Sequence, residues 1–100
     1  MALEDVRRVF TAELEPHFRI EEEHLLPALL ASGERALVER TLSDHAALRG
    51  HLTAAEAGQG ERLRAFGAAL EAHIRFEERE LFPAIEAHVP AEVLDALAPR

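Results

Sequence analysis

His17-Phe18-Arg19-Ile20-Glu21-Glu22-Glu23-His24 and His73-Ile74-Arg75-Phe76-Glu77-Glu78-Arg79-Glu80 are near copies of one eight-residue phrase. The likeness runs further. Shifted by 56 residues, Phe10 meets Phe66, Leu14-Glu15 meets Leu70-Glu71, Leu25 meets Leu81, and Pro27-Ala28 meets Pro83-Ala84. Two copies of one structural unit therefore flank an intervening segment.

Glycine and proline punctuate the chain at Ser32-Gly33, Gly58-Gln59-Gly60 and Val89-Pro90. Between these breaks Ala, Leu, Glu and Arg dominate, and all favour helix. The pattern predicts three long helices, at about 3–31, 34–57 and 61–88, and a short helical segment at Ala91–Leu97. Apolar residues recur at spacings of three and four: Leu3, Val6, Phe10, Leu14, Ile20 and Leu25; then Leu37, Val38, Leu42, Leu48 and Leu52; then Leu63, Phe66, Leu70, Leu81 and Ile85. Such stripes must bury against one another. Short loops make neighbours antiparallel, so the reading is all-α, an up-down bundle in one domain spanning 1–100, with the repeated helices parallel. Pro16, Pro27 and Pro83 fall inside helical pattern and predict kinks, or an early end near Pro27.

A helix advances ~100° per residue, so His17 and Glu21, and likewise His73 and Glu77, stand one turn apart on one face. Phe10 and Leu14 lie within ~60° of the His17 direction, and Phe66 and Leu70 are placed similarly about His73. Both histidines thus follow the apolar stripe. His45 falls among Val38, Leu42, Leu48 and Leu52, on the buried side of the middle helix. Three imidazoles and two carboxylates are expected to converge, while Glu22, Glu23 and Glu78 are read as solvated. A buried, unpaired carboxylate costs several kcal/mol or takes up a proton. There is no lysine, and the arginines fall mostly elsewhere. A metal cation answers the need, and imidazole with carboxylate suits iron, zinc or manganese. Two His-x-x-x-Glu units on parallel helices can hold two metals with the carboxylates between them.

Composition removes other classes. Of 100 residues, 19 are acidic and 11 basic, giving a net charge of −8. An acidic chain without a basic cluster is a poor partner for nucleic acid or anionic membranes. With no cysteine there is no thiol catalysis, disulfide or thiolate metal site. No stretch approaches the ~20 apolar residues of a membrane span, and the N-terminus has no secretory pattern, so the expectation is a cytoplasmic protein.

The doubled phrase, each copy followed by an apolar-Pro-apolar step (Leu25-Leu26-Pro27-Ala28-Leu29 and Leu81-Phe82-Pro83-Ala84-Ile85), resembles the hemerythrin-like HHE cation-binding family, as does Asp44-His45-x-x-Leu48-Arg49 between them. The resemblance implies a four-helix bundle around an oxygen-bridged, non-haem di-iron centre. Carried over, His17, His45 and His73 are terminal ligands and Glu21 and Glu77 are bridges. The implied small ligands are dioxygen, nitric oxide or peroxide, for binding, sensing or iron handling. A weak oxidase or peroxidase, which Glu80 would favour, and a metal-free dimerisation module are the alternatives. The family's usual first helix and its histidine have no counterpart here. His24, ~20° from the His17 direction two turns on, is the candidate substitute. A homodimer would cover the groove that three helices leave open.

Overall fold

The computed structural model describes residues 2–97. Four helices follow one another: α1 from Leu3 to Ala31, α2 Arg35–Glu56, α3 from Arg62 to His88, and α4 Ala91–Leu97, with no strand among the described residues. The expected boundaries of α2 and α3 hold to within a residue. Their sharpness has a local cause. Gly33 (φ +90°) and Gly58 (φ +105°) take the left-handed conformation that closes a helix. Around them Gly33 N–H donates to the Leu30 carbonyl and Glu34 N–H to that of Leu29; Gly58 N–H and Gln59 N–H do the same to Ala55 and Ala54. The turns reverse the chain. The start of α1 meets α2, the end of α1 meets both α2 and the end of α3, and α2 lies along α3. The repeated helices therefore run parallel, with α2 antiparallel between them.

The prolines do not end the helices. Each is preceded by one wide turn with i→i+5 hydrogen bonding: Phe10–Leu14 before Pro16, Glu21–Leu25 before Pro27, and Glu77–Leu81 before Pro83. The amide just ahead of each proline reaches back five residues, Glu15 to Phe10, Leu26 to Glu21 and Phe82 to Glu77. Proline lacks a donor and its ring crowds the carbonyl four residues back. The wide turn absorbs one extra residue at that point, and α1 continues to Ala31. Two of these π turns begin at Glu21 and Glu77.

Two apolar clusters form the core. Val6, Phe10, Phe18, Leu48, Leu52 and Phe66 fill one end. Leu26, Leu29, Val38, Phe76, Leu81, Ile85 and Val89 fill the other. Buried Glu21, Thr41, His45, His73 and Glu77 complete the interior. The expected stripes need correcting at three places. Ile20 and Leu42 are exposed, and Leu25 is only half-buried while Leu26 and Leu29 take the core positions. The extra residue of the Glu21–Leu25 turn re-phases the helix beyond it, so the count of three and four no longer applies there.

No helix among the described residues is long and apolar enough to cross a membrane. Leu48 is fully buried and Leu42 is 45% exposed, although they share one stripe in the sequence. Leu48→Ala should therefore cost about 2–5 kcal/mol and Leu42→Ala no more than about 0.5 kcal/mol, read as separate shifts in thermal or urea unfolding.

Candidate metal centre

Five side chains from three helices meet between the two clusters. α1 supplies His17 and Glu21, α2 supplies His45, and α3 supplies His73 and Glu77. Their donor atoms form two overlapping triads, Glu21-His45-His73 and His17-Glu21-Glu77, with all ligand atoms of a triad within 4.8 Å of one another. Glu21 belongs to both. Its Oε1 lies 3.0 Å from His45 Nε2 and its Oε2 lies 2.9 Å from His17 Nε2. Glu77 Oε2 stands 3.5 Å from both His17 Nε2 and His73 Nε2. Each carboxylate is thus flanked by two imidazoles, the arrangement of a bridge.

Close approach here is not hydrogen bonding. Glu21 Oε1 and Oε2, Glu77 Oε2, His45 Nε2 and His73 Nε2 are buried, and none has an aligned hydrogen-bond partner. At His45 and His73 the inner nitrogens meet the carboxylates lone pair to lone pair, with no donor between them. Buried polar atoms are satisfied in the great majority of cases, so five orphans in one cluster require an explanation. A cation among them satisfies all five, and the nitrogen and oxygen donors with no sulfur fit iron, zinc or manganese.

The outer ring nitrogens show how the donors are aimed. His45 Nδ1 donates to Glu22 Oε2 at 2.7 Å, and His73 Nδ1 to Asp44 Oδ2 at 2.9 Å. A carboxylate on Nδ1 fixes the proton there and leaves Nε2 free to face inward. Each carboxylate is braced in turn. Arg49 donates to Glu22 (2.8 Å) and also to Glu15 (2.7 and 3.0 Å). Arg40 Nε lies 3.1 Å from both oxygens of Asp44. The guanidiniums sit over aromatic rings, Arg49 5.6 Å from the Phe18 centroid and Arg40 4.5 Å from that of Phe76. Phe18 stacks on His45 at 3.9 Å and meets His73 edge-on at 5.8 Å.

Charge is coupled across the cluster. Glu21 and Glu77 beside His17 push its imidazole up to about 10. Burial pushes His73 down, but Glu77 and Asp44 outweigh it and hold the ring above its ordinary value. Burial would raise Glu77, yet His17, His73 and Glu21 hold its carboxyl well below the usual range. Burial likewise opposes Glu22, and Arg49 with His45 reverses the effect and lowers it.

The sequence-derived donors His17, Glu21, His45, His73 and Glu77 are brought together. His17 differs from the rest in leaving its side chain 47% exposed. His24 joins neither triad; it is half-exposed, and its nearest acidic atom is Glu23 Oε2 at 4.0 Å. His51 accepts from Arg62 at 3.1 Å and His88 pairs with Glu34 at 3.3 Å. Glu22 is not the solvated residue expected, and Arg40 and Arg49 do not stand apart from the site. Sequence reading missed all three roles and that of Asp44. The signals were the position of Asp44 beside His45 and the i,i+4 pair Arg40-Asp44.

A family model described as the hemerythrin HHE cation-binding domain matches residues 2–85. No curated protein and no solved structure matches the chain significantly.

A metal ion bound at His17 would need its Nε2 lone pair, which in the metal-free protein carries a proton up to about pH 10. Apparent affinity at this position should therefore rise about tenfold per pH unit as the medium is taken from neutral toward 10, with one proton released per ion. Titration calorimetry in two buffers of different ionisation enthalpy counts that proton. The sign for the metal-free fold is opposite. A raised histidine stabilises fully below its ordinary value of 6.5 and loses that contribution as pH climbs through about 10. Chelated protein should melt at progressively lower temperature across that window.

Proposed function

The chain belongs to the hemerythrin HHE cation-binding domain family, and from that premise we propose that it is a cytoplasmic non-haem di-iron protein. Its role is to bind or sense a small oxygen- or nitrogen-based ligand: dioxygen, nitric oxide or peroxide. The observation that carries the reading is the pair of triads sharing Glu21, with their buried, unpartnered donor atoms aimed at common points. Glu21 and Glu77 are assigned as bridging carboxylates, and His17, His45 and His73 as terminal ligands. Iron held there would supply reversible small-ligand binding and one-electron redox chemistry. The protein's own part is to aim the imidazoles through Glu22 and Asp44 and to keep water from His45 and His73 with Phe18 and Phe76.

Three histidines against two carboxylates favour binding and sensing over oxidative turnover, because further carboxylates are what stabilise strongly oxidised iron. Glu80 is exposed and adds none to the cluster. An oxidase or peroxidase is therefore the weaker reading. A metal-free dimerisation module is weaker still, since it would leave five buried donor atoms with nothing to satisfy them. Zinc or manganese fits the same donors and is the alternative to iron.

From the repeat we assign the side on which a second chain would dock. Phe18 of α1 stacks on His45 of α2, and Phe76 of α3 lies beneath Arg40 of α2. Their counterparts in the other copy of the repeat, Ile74 and Ile20, are exposed at 44% and 39%. These two isoleucines mark the side opposite α2, where a fourth long helix would lie. An apolar groove of about 220 Å³ between Val9, Leu14, Phe66 and Leu70 adds to the uncovered area. A homodimer closing over this side is the form we assign to the protein.

Anaerobic reconstitution with ferrous iron followed by air should give about two irons per chain, with near-ultraviolet absorption from an oxygen bridge. Glu21→Ala should bring the iron content below one per chain. Wild-type protein that takes up no iron, zinc or manganese, and melts identically with and without chelator, would rule the reading out. Sedimentation should return twice the 11.1 kDa chain mass, and Ile20→Asp with Ile74→Asp should return a single chain.

A further inference from the structure

The two triads share a carboxylate but are not equivalent. Glu21 and His45 are fully buried and His73 is nearly so. Both imidazoles of that triad have their outer nitrogen held by a carboxylate, and each carboxylate is clamped by an arginine lying over a phenyl ring: His45–Glu22–Arg49–Phe18 and His73–Asp44–Arg40–Phe76. These are two parallel chains of contact built from the same four chemical parts. The other triad has nothing of the kind. His17 is half-exposed, and among the described residues no side-chain hydrogen bond reaches its Nδ1. Its Nε2 is positioned only by Glu21 and Glu77, the same groups that would share the ion with it.

Resting on the dinuclear reading above, we infer that the two positions fill in order: the Glu21-His45-His73 position first and tightly, the His17-Glu21-Glu77 position second, weakly and in exchange with solvent. The reasoning is energetic at both ends. Ordering a ligand costs conformational entropy, and at the first position this is settled during folding by the carboxylate–arginine clamps. At the second, His17 must be immobilised by the ion itself and gives up contact with water. Outer carboxylates of this type change metal affinity by about 10–100-fold when removed. The first position has two and the second has none, so a separation of at least about tenfold is expected. Glu21 then works as a sequencer. Once one oxygen is committed to the inner ion, the other is held in place for the outer one.

Cobalt(II), titrated under visible absorption, is the probe, because its band intensities report coordination at each step independently of any turnover. Two equivalents should bind in two resolved steps. His17→Ala should abolish the second step while the tight first step remains. His45→Ala should abolish the first. Should that variant lose its helical circular dichroism, Asp44→Asn carries the same test, weakening the first step by about 10-fold or more. Two equivalents of indistinguishable affinity, a single equivalent with no second step, or loss of the tight step in His17→Ala each overturn the ordered filling. The first and last of these leave the dinuclear reading standing. No cobalt uptake by folded wild-type protein sinks both.

Discussion

Glu21 is a carboxylate with neither oxygen paired and no exposure to water. Few arrangements in a protein are so unfavourable when considered alone, because desolvating one such charge outweighs what most single contacts return. The bundle accepts it because three imidazoles surround the same spot, against the added charge of Glu77. In the metal-free chain, the positive charge held on His17, 2.9 Å away, offsets part of the penalty. With a cation present, the whole group is satisfied together. The apolar clusters on either side depend on this, since they pack against a layer that must be neutral on balance to be enclosed.

The geometry of that layer is set by prolines. Pro27 and Pro83 each lie six residues after a cluster glutamate, and each forces the wide turn that begins at it. Wide single turns of this sort gather at functional sites in other helices for the same reason: they displace the backbone locally while the helix goes on. Glu21 and Glu77 stand where the ordinary α repeat gives way, and everything after them is turned relative to what precedes. Pro16 does the same ahead of His17, beginning from Phe10.

Much of this was legible in the chain itself. The boundaries of the long helices follow from Gly33 and Gly58, whose left-handed backbone leaves little choice. The five convergent donors follow from the i,i+4 spacing in each copy of the repeat and from the apolar neighbours of His45. What escaped the sequence has two physical sources. Counting around an ideal helix fails once a π turn adds a residue: the ideal count favours Leu25 over Leu26 and brings His24 to the His17 face. The repeat is also more symmetric than the fold. Glu22 and Glu78 occupy equivalent positions, yet α2 lies beside only one of them, so Glu22 reaches His45 while Glu78 is left to solvent. Phe18 and Ile74, or Ile20 and Phe76, differ for the same reason. One-dimensional similarity cannot say which copy has the neighbour.

α2 carries an unusual share of the candidate centre: His45 as a candidate ligand, Asp44 as the group orienting His73, and Arg40 and Arg49 as clamps reaching toward α3 and α1. Mechanically this is a keystone. α3 takes the alignment of His73 from Asp44 of α2, and α2 takes that of its own His45 from Glu22 of α1. A shift of α2 by a fraction of a turn would misaim His45 and His73 at once, while leaving both glutamates where they are. Tension at either end of that helix and the grip on the ion are therefore two faces of the same coordinate.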